Sequence, residues 1–226
     1  MLVIKSLFLG APGTGKTSVM RRFCLEDFED QYVPTVGLNF LAKDTNTEES
    51  RKHFEAGVRH QIWDCSGHQD YRQAARASYS STAVFVFVIS CDNPLSIEGL
   101  KEWIAEVDQM KPKTAVKLLL CNKGDVGKNT IPSDKITALT ASAGLEYLEV
   151  SAKQNRNIGK IFDTINRLIG AKVAAGEIVP DETGTAGVKK VVGFAAKTLK
   201  ALEDTKQETS IQTGKDGGCI ENCTLI

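Results

Sequence analysis

The sequence predicts an α/β domain built on a mostly parallel six-stranded sheet, with one antiparallel edge strand and helices on both faces. Short apolar runs at Leu2–Leu9, Val84–Ser90, Val116–Asn122 and Tyr147–Ser151 alternate with longer amphipathic stretches at Thr17–Cys24, Ser96–Met110, Ser133–Ala143 and Ile158–Val173. That alternation marks parallel strands covered by helices. Leu38–Lys43 and Val58–Asp64 read as two more strands, joined by the polar stretch Asp44–Ser50 into a hairpin at one edge. At 226 residues there is room for one such domain, over 1–173, and an appendage. Beyond about Val173 the composition turns to Gly, Thr, Lys and Glu, which predicts a flexible tail over 174–226.

The first strand runs into Gly10-Ala11-Pro12-Gly13-Thr14-Gly15-Lys16-Thr17, which fits G-x-x-x-x-G-K-[ST] and opens the first helix. A strand before and a helix after are the context this motif needs. Its glycines let backbone N–H groups close around phosphate oxygens, Lys16 neutralises the β and γ phosphates and is counted as catalytic, and the Thr17 hydroxyl ligates magnesium. Ser18 joins the nucleotide-binding set. Pro12 brings no N–H and holds Ala11 extended. It is either a harmless rigid turn or a brake on hydrolysis and on access by a helper protein.

Next along the chain, Thr35 lies in a Pro/Gly loop between helix and strand, where it can fold onto magnesium when a γ-phosphate is present. Asp64 and Gly67 end the third strand as D-x-x-G, a carboxylate for magnesium and an N–H for the γ-phosphate. Leu118–Asp125 is a buried strand closing on Asn122, Lys123 and Asp125, and that aspartate can accept from the ring N–H and amino group of guanine. Ser151, Ala152 and Lys153 end the next strand, within reach of the same base.

Bulk properties exclude several classes. The 28 basic and 28 acidic residues balance, so no broad field favours nucleic acid as a partner. The six cysteines show no disulfide-scaffold or zinc spacing, and four lie in or beside apolar runs, which suits buried thiols in a reducing compartment. No stretch reads as a secretion signal or as a membrane span. The expected location is the cytosol and the cytoplasmic face of an intracellular membrane.

Taken in order and spacing, the phosphate loop, Thr35, Asp64 to Gly67, Asn122 to Asp125 and Ser151 to Lys153 resemble the Ras superfamily of small GTPases over about residues 2–173. The resemblance implies a P-loop NTPase fold that binds GTP and GDP with Mg²⁺. It implies that Phe28 packs on the guanine edge, Lys123 lies along the ring, Asp125 specifies guanine and the Ala152 N–H meets the guanine oxygen. It also implies effectors, an exchange factor and a GTPase-activating protein as partners.

Within the superfamily Val36-Gly37-Leu38-Asn39-Phe40 and Ile62-Trp63-Asp64 resemble Rab proteins, whose process is vesicle trafficking. Gly37, Phe40 and Trp63 would then form an effector surface, unless the two aromatics are simply packed. Three features depart from the Rab pattern. Ser78, with Tyr79 after it, stands where an effector-facing aromatic is usual, Asn39 replaces an acidic residue, and the hairpin between Phe40 and Ile62 is several residues longer. His68 stands where the family carries the glutamine that orients the attacking water, and Gln69 comes one place late. A histidine can donate a hydrogen bond or exchange a proton there. Slow intrinsic hydrolysis is the expectation, with a permanently GTP-bound scaffold or a small GTPase of another Ras-superfamily branch as the alternatives.

The last four residues, Cys223-Thr224-Leu225-Ile226, fit C-a-a-X, a prenylation motif for which the terminal Ile favours geranylgeranyl. Cys219 would take a second lipid or stay free. Val188, Val191, Val192, Ala195, Leu199 and Leu202 fall on one helical stripe with lysines opposite, so 188–202 reads as an amphipathic helix at a membrane interface, the alternatives being a helix docked on the domain or an unstructured stretch.

Overall fold

A computed structural model of the chain describes residues 1–110, 114–127, 129–184 and 187–191. The elements run β1 (Leu2–Leu9), α1 (Lys16–Leu25), β2 (Leu38–Thr45), α2 (Glu48–His53), β3 (Val58–Cys65), α3 (Arg72–Ala77), β4 (Val84–Ser90), α4 (Leu100–Met110), β5 (Val116–Asn122), α5 (Ser133–Ala143), β6 (Glu146–Glu149), α6 (Ile158–Ala174) and β7 (Val188–Lys190). Strand order is β2-β3-β1-β4-β5-β6, with β7 beside β1. The inner strands pair in parallel, as β1 with β3 and β4, β4 with β5, and β5 with β6. Edge strand β2 runs antiparallel to β3, in register from Leu38 opposite Cys65 to Thr45 opposite Val58.

Side chains of neighbouring residues leave a strand on opposite faces. On β1, Phe8 therefore joins a core with Phe23 of α1 and Phe162 and Ile165 of α6, while Leu7 and Leu9 join one with Trp103 of α4 and Leu139 of α5. All seven residues of β4 are buried, which is why its sequence is apolar without alternation. Cys65, Cys91 and Cys121 are buried free thiols and Cys24 is half-buried.

Three stretches differ from expectation. The hairpin connection is not simply a loop, because it carries the short helix α2. Thr47 caps that helix, its hydroxyl accepting from the Ser50 N–H at 3.1 Å. Gly170 on α6 makes room for it, since a Cβ there would lie 2.8 Å from Nδ1 of His53. The amphipathic stretch from Ser96 is also interrupted. A 3₁₀ turn over Pro94–Ile97, capped by Asn93, comes first, and α4 starts only at Leu100.

The third difference is in the tail, whose first part carries a strand where a helix was expected. Met1–Val191 form one compact unit, and Val188–Lys190, expected to begin an amphipathic helix, form strand β7 antiparallel to Leu2–Ile4. Ile178 and Val188 are 2% and 0% exposed and belong to the α1/α6 core. The remainder of the expected helix and Cys219 and Cys223 lie outside the described residues. Strand β4 pairs with β1 only from Ser6 onward, so the edge of Leu2–Ile4 has backbone groups to spare, and β7 satisfies them.

Candidate nucleotide-binding site

The motifs collect at the C-terminal ends of β1, β3, β5 and β6, where open α/β sheets bind ligands. At Gly10, φ is 144° and a Cβ would sit 2.3 Å from the Val88 carbonyl oxygen; at Gly15, φ is 86° and a Cβ would sit 2.3 Å from Asn122 Nδ2. Only glycine fits either position. Gly13 also has positive φ, at the open tip beside exposed Pro12, and the Thr14 hydroxyl closes the turn on the Ala11 carbonyl at 3.0 Å. Lys16 is buried, and its Nζ donates to the carbonyls of Gly10 and Ala11, each at 3.0 Å. Burial lowers the Lys16 pKa, opposed by the charge of Asp64. An anion brought to this ammonium recovers the lost solvation, and phosphate is the one its loop fits.

Asp64 is fully buried at the end of β3. Thr17 Oγ1 lies 2.8 Å from Thr35 Oγ1 and donates to Asp64 Oδ2, to which Thr35 also donates at 3.3 Å. The other carboxylate oxygen, Oδ1, has no hydrogen-bond partner, and desolvation raises the pKa of the group against the hydrogen bonds from Thr17 and Thr35 and the charge of Lys16. Buried oxygen donors with one lone-pair face unsatisfied suit a hard divalent cation. Among the described residues no three His, Cys, Asp or Glu side chains cluster into a cage. Magnesium fits that arrangement, because it takes few protein ligands and keeps water and phosphate oxygens.

Gly67 packs directly on the phosphate loop. A Cβ there would be 2.5 Å from both the Gly10 carbonyl oxygen and the Pro12 nitrogen. His68 follows with an exposed side chain, its Nδ1 3.3 Å from Asp70 Oδ2. Both His68 and Gly67 border a groove of about 950 Å³ that extends along Lys16, Thr17, Ser18 and Thr35 to Phe28 and Lys123. Gln69 borders instead an adjoining crevice of about 440 Å³ against Trp103, which shares Pro12, Gly67 and His68 with the groove.

At the far end of the groove Asn122 links two loops: its Nδ2 donates to the Thr14 carbonyl at 3.0 Å, and its Oδ1 accepts from the Ala152 N–H at 3.2 Å. The Ala152 N–H that the resemblance assigns to the guanine oxygen is thus engaged by Asn122 here. Ser151 Oγ donates to Asp125 Oδ1 at 2.6 Å, which orients the carboxylate expected to read the base. Lys123 Nζ is held by Asp92 at 3.1 Å and Lys153 Nζ by Asp30 at 2.7 Å. Phe28 is half-buried beneath the Arg22 guanidinium. Sequence reading missed Asp92, Asp30 and Arg22. Each belongs to no motif and acts by contact with a motif residue distant in the chain.

On the β2/β3 face Phe40 and Trp63 stand opposite in register, their rings 5.0 Å apart, and Phe40 is 39% exposed. Gly37, with φ 71°, directs the chain into β2. Tyr79 does not extend this pair. It is fully buried, edge-on to Phe85 at 5.3 Å. Lys5 takes the place beside Trp63, its Nζ 4.7 Å from the ring centre and bonded to Ser81 Oγ at 2.8 Å.

Comparison with known proteins agrees with this geometry. The family model described as Ras family matches residues 5–171. Ras-related protein Rab-1 of Theileria parva is 26% identical over 211 residues, covering 92% of each chain. SEC4 of Saccharomyces cerevisiae is 26% identical over 82% of this chain and 83% of its own, and Rab-3 of Caenorhabditis elegans is 30% identical over 76% of each. With the phosphate-loop motif, the Thr17–Thr35–Asp64 oxygen cluster and the Asn122–Lys123–Asp125 motif gathered at the C-terminal ends of the strands, this chain belongs to the Ras family and is a Rab-like small GTPase.

Proposed function

We propose that the chain is a guanine-nucleotide switch: it binds GTP or GDP with magnesium, hydrolyses GTP slowly, and in the GTP form recruits effectors to a membrane in vesicle trafficking. The observation that carries the base identity is Asp125, fixed by Ser151 Oγ at 2.6 Å two residues after Lys123, which lines the groove together with Lys16. A carboxylate held in place accepts two parallel N–H groups, as guanine offers and adenine does not. Thr17, Thr35 and Asp64 would hold magnesium, directly or through water. The ion would neutralise phosphate charge.

Slow turnover is supported by the side chains around Gly67. His68 borders the groove but is 68% exposed and directed to Asp70, and Gln69 borders the adjoining crevice, so neither is locked in place over the phosphate loop. The same observations favour a second reading, a scaffold that stays GTP-bound. Single-turnover hydrolysis separates them: measurable turnover supports the switch, and none supports the scaffold. If His68→Gln fails to raise the rate, His68 is not what limits it.

Membrane attachment rests on Cys223 in the C-terminal prenylation motif, with Cys219 as a candidate second site. One lipid chain binds only marginally, so a second signal is needed. No helix among the described residues is long and apolar enough to cross a membrane. The trafficking role and the partners, which are effectors, an exchange factor and an activating protein, follow from likeness to Rab proteins. Location on the cytoplasmic face of an intracellular membrane, with a cytosolic pool, is tested by fractionation of Cys223→Ser. Complete retention on membranes would rule out that cysteine as the anchor.

A further inference from the structure

We propose that Arg22 is a positioning residue that ties the base-recognition loop to the segment carrying Phe28, and so sets how long a nucleotide stays bound. The proposal rests on the guanine-nucleotide reading above. Arg22 projects from α1 and spends its donors on main-chain carbonyls from two segments far apart in sequence. Its Nε donates to Ala152 at 2.8 Å and one terminal nitrogen to Lys153 at 3.3 Å, while the other donates to Glu26 at 2.9 Å. The guanidinium carbon also lies 5.6 Å from the centre of the Phe28 ring.

Each contact controls something the base would touch. Glu26 caps α1 in a left-handed conformation, with φ 59° and ψ 21°, an unfavourable backbone for a residue with a side chain. That bend sends the chain toward Phe28, and the Arg22 bond to its carbonyl holds it. On the other side, Ala152 is fixed through both of its backbone groups, its N–H by Asn122 at 3.2 Å and its carbonyl by Arg22. The loop that faces the base is therefore gripped from the phosphate loop by Asn122 and from α1 by Arg22.

The other tie between these segments is weaker. Lys153 and Asp30 meet at 2.7 Å, but their side chains are 55% and 75% exposed, where an ion pair contributes little. A fixed planar fork on three carbonyls loses less side-chain freedom per bond than a lysine on one carboxylate. None of the Arg22 contacts reaches the phosphate end. Its loss should therefore loosen GDP and GTP alike and leave bond cleavage untouched.

The test uses the full chain loaded with fluorescent GDP or a fluorescent non-hydrolysable GTP analogue, chased with unlabelled nucleotide in magnesium. Arg22→Ala is expected to release both faster by the same factor, roughly 10- to 100-fold, as the loss of one or two charge-assisted hydrogen bonds gives. Arg22→Lys, which keeps the charge without the fork, should fall between. Single-turnover hydrolysis in preloaded protein should match wild type, and Arg167→Ala, which removes an exposed arginine elsewhere, should change nothing. Wild-type release rates in Arg22→Lys and in Arg22→Ala would overturn the proposal. So would hydrolysis that slows in step with release, because that signals general loosening. Wild-type protein that retains no guanine nucleotide would instead overturn the reading beneath it.

Discussion

His60 sits on β3 between Phe23 and Phe162, with ring centres at 5.9 and 5.0 Å and both rings edge-on to it. It is fully buried, and neither ring nitrogen has a hydrogen-bond partner. Desolvation lowers its pKa from 6.5 to about 3, opposed by the charge of Asp44. In the folded chain the ring therefore stays neutral as pH falls from 6.5, while in the unfolded chain it takes up a proton. The unfolded state binds more protons across that window, so stability is complete above pH 6.5 and is lost progressively down to about pH 3. At about 1.4 kcal/mol per pH unit, the loss is about 2 kcal/mol at pH 5. His60→Leu removes the titration and two unsatisfied nitrogens, so it should stabilise the fold by about 1–3 kcal/mol at pH 7. Urea unfolding of both proteins, with saturating GDP and magnesium, should show the advantage of the leucine variant widening by a further ~2 kcal/mol between pH 7 and pH 5. His53 and His68 are common to both and cancel in the difference. Parallel stability profiles across that range would refute a neutral, unpartnered His60.

Two further outcomes follow from the packing. Gly187 has φ 79°, and a Cβ there would lie 2.2 Å from the Ala83 nitrogen, so Gly187→Val should detach β7 at a cost of about 1–3 kcal/mol. Hydrogen exchange should then speed up at Leu2–Ile4, and protection as in wild type would mean that β7 does not hold that edge. Asp64→Asn keeps the shape of the oxygen cluster but removes its charge, and should weaken magnesium binding about 10- to 100-fold with nucleotide bound. An unchanged magnesium titration would take Asp64 out of the metal site.

The strands were legible because a sheet buried on both faces needs apolar residues in near-continuous runs, as in Val84–Ile89 and Leu118–Cys121. The phosphate loop was legible because Gly10 and Gly15 are required by contacts with Val88 and Asn122, which leaves a fixed spacing in the chain. Helix α2 was not legible. It has six residues, mostly polar, and is stabilised by docking against Gly170 rather than by any periodic stripe. Nor was β7, three residues in which Val188 is followed by two lysines, a pattern that also fits a helical stripe; only the free edge of β1 decides between them. Tyr79 shows the same limit. One place in the turn after α3 separates a surface aromatic from a core one, and residue counting from Asp64 cannot supply the direction of the side chain.

The central claim is that the groove selects guanine nucleotides, and competition binding tests it most directly. Purified protein in magnesium should bind fluorescent GDP, release it to unlabelled GDP, and hold it against a roughly thousandfold excess of ATP, within the discrimination of about 10⁴ or more that a site hydrogen-bonding its ligand's own groups achieves. Asp125→Ala should lose most of that preference while the phosphate loop is intact. Displacement by ATP at concentrations similar to GDP would contradict the assignment of Asp125 and Ser151 to the base and return the chain to P-loop proteins of unassigned base specificity.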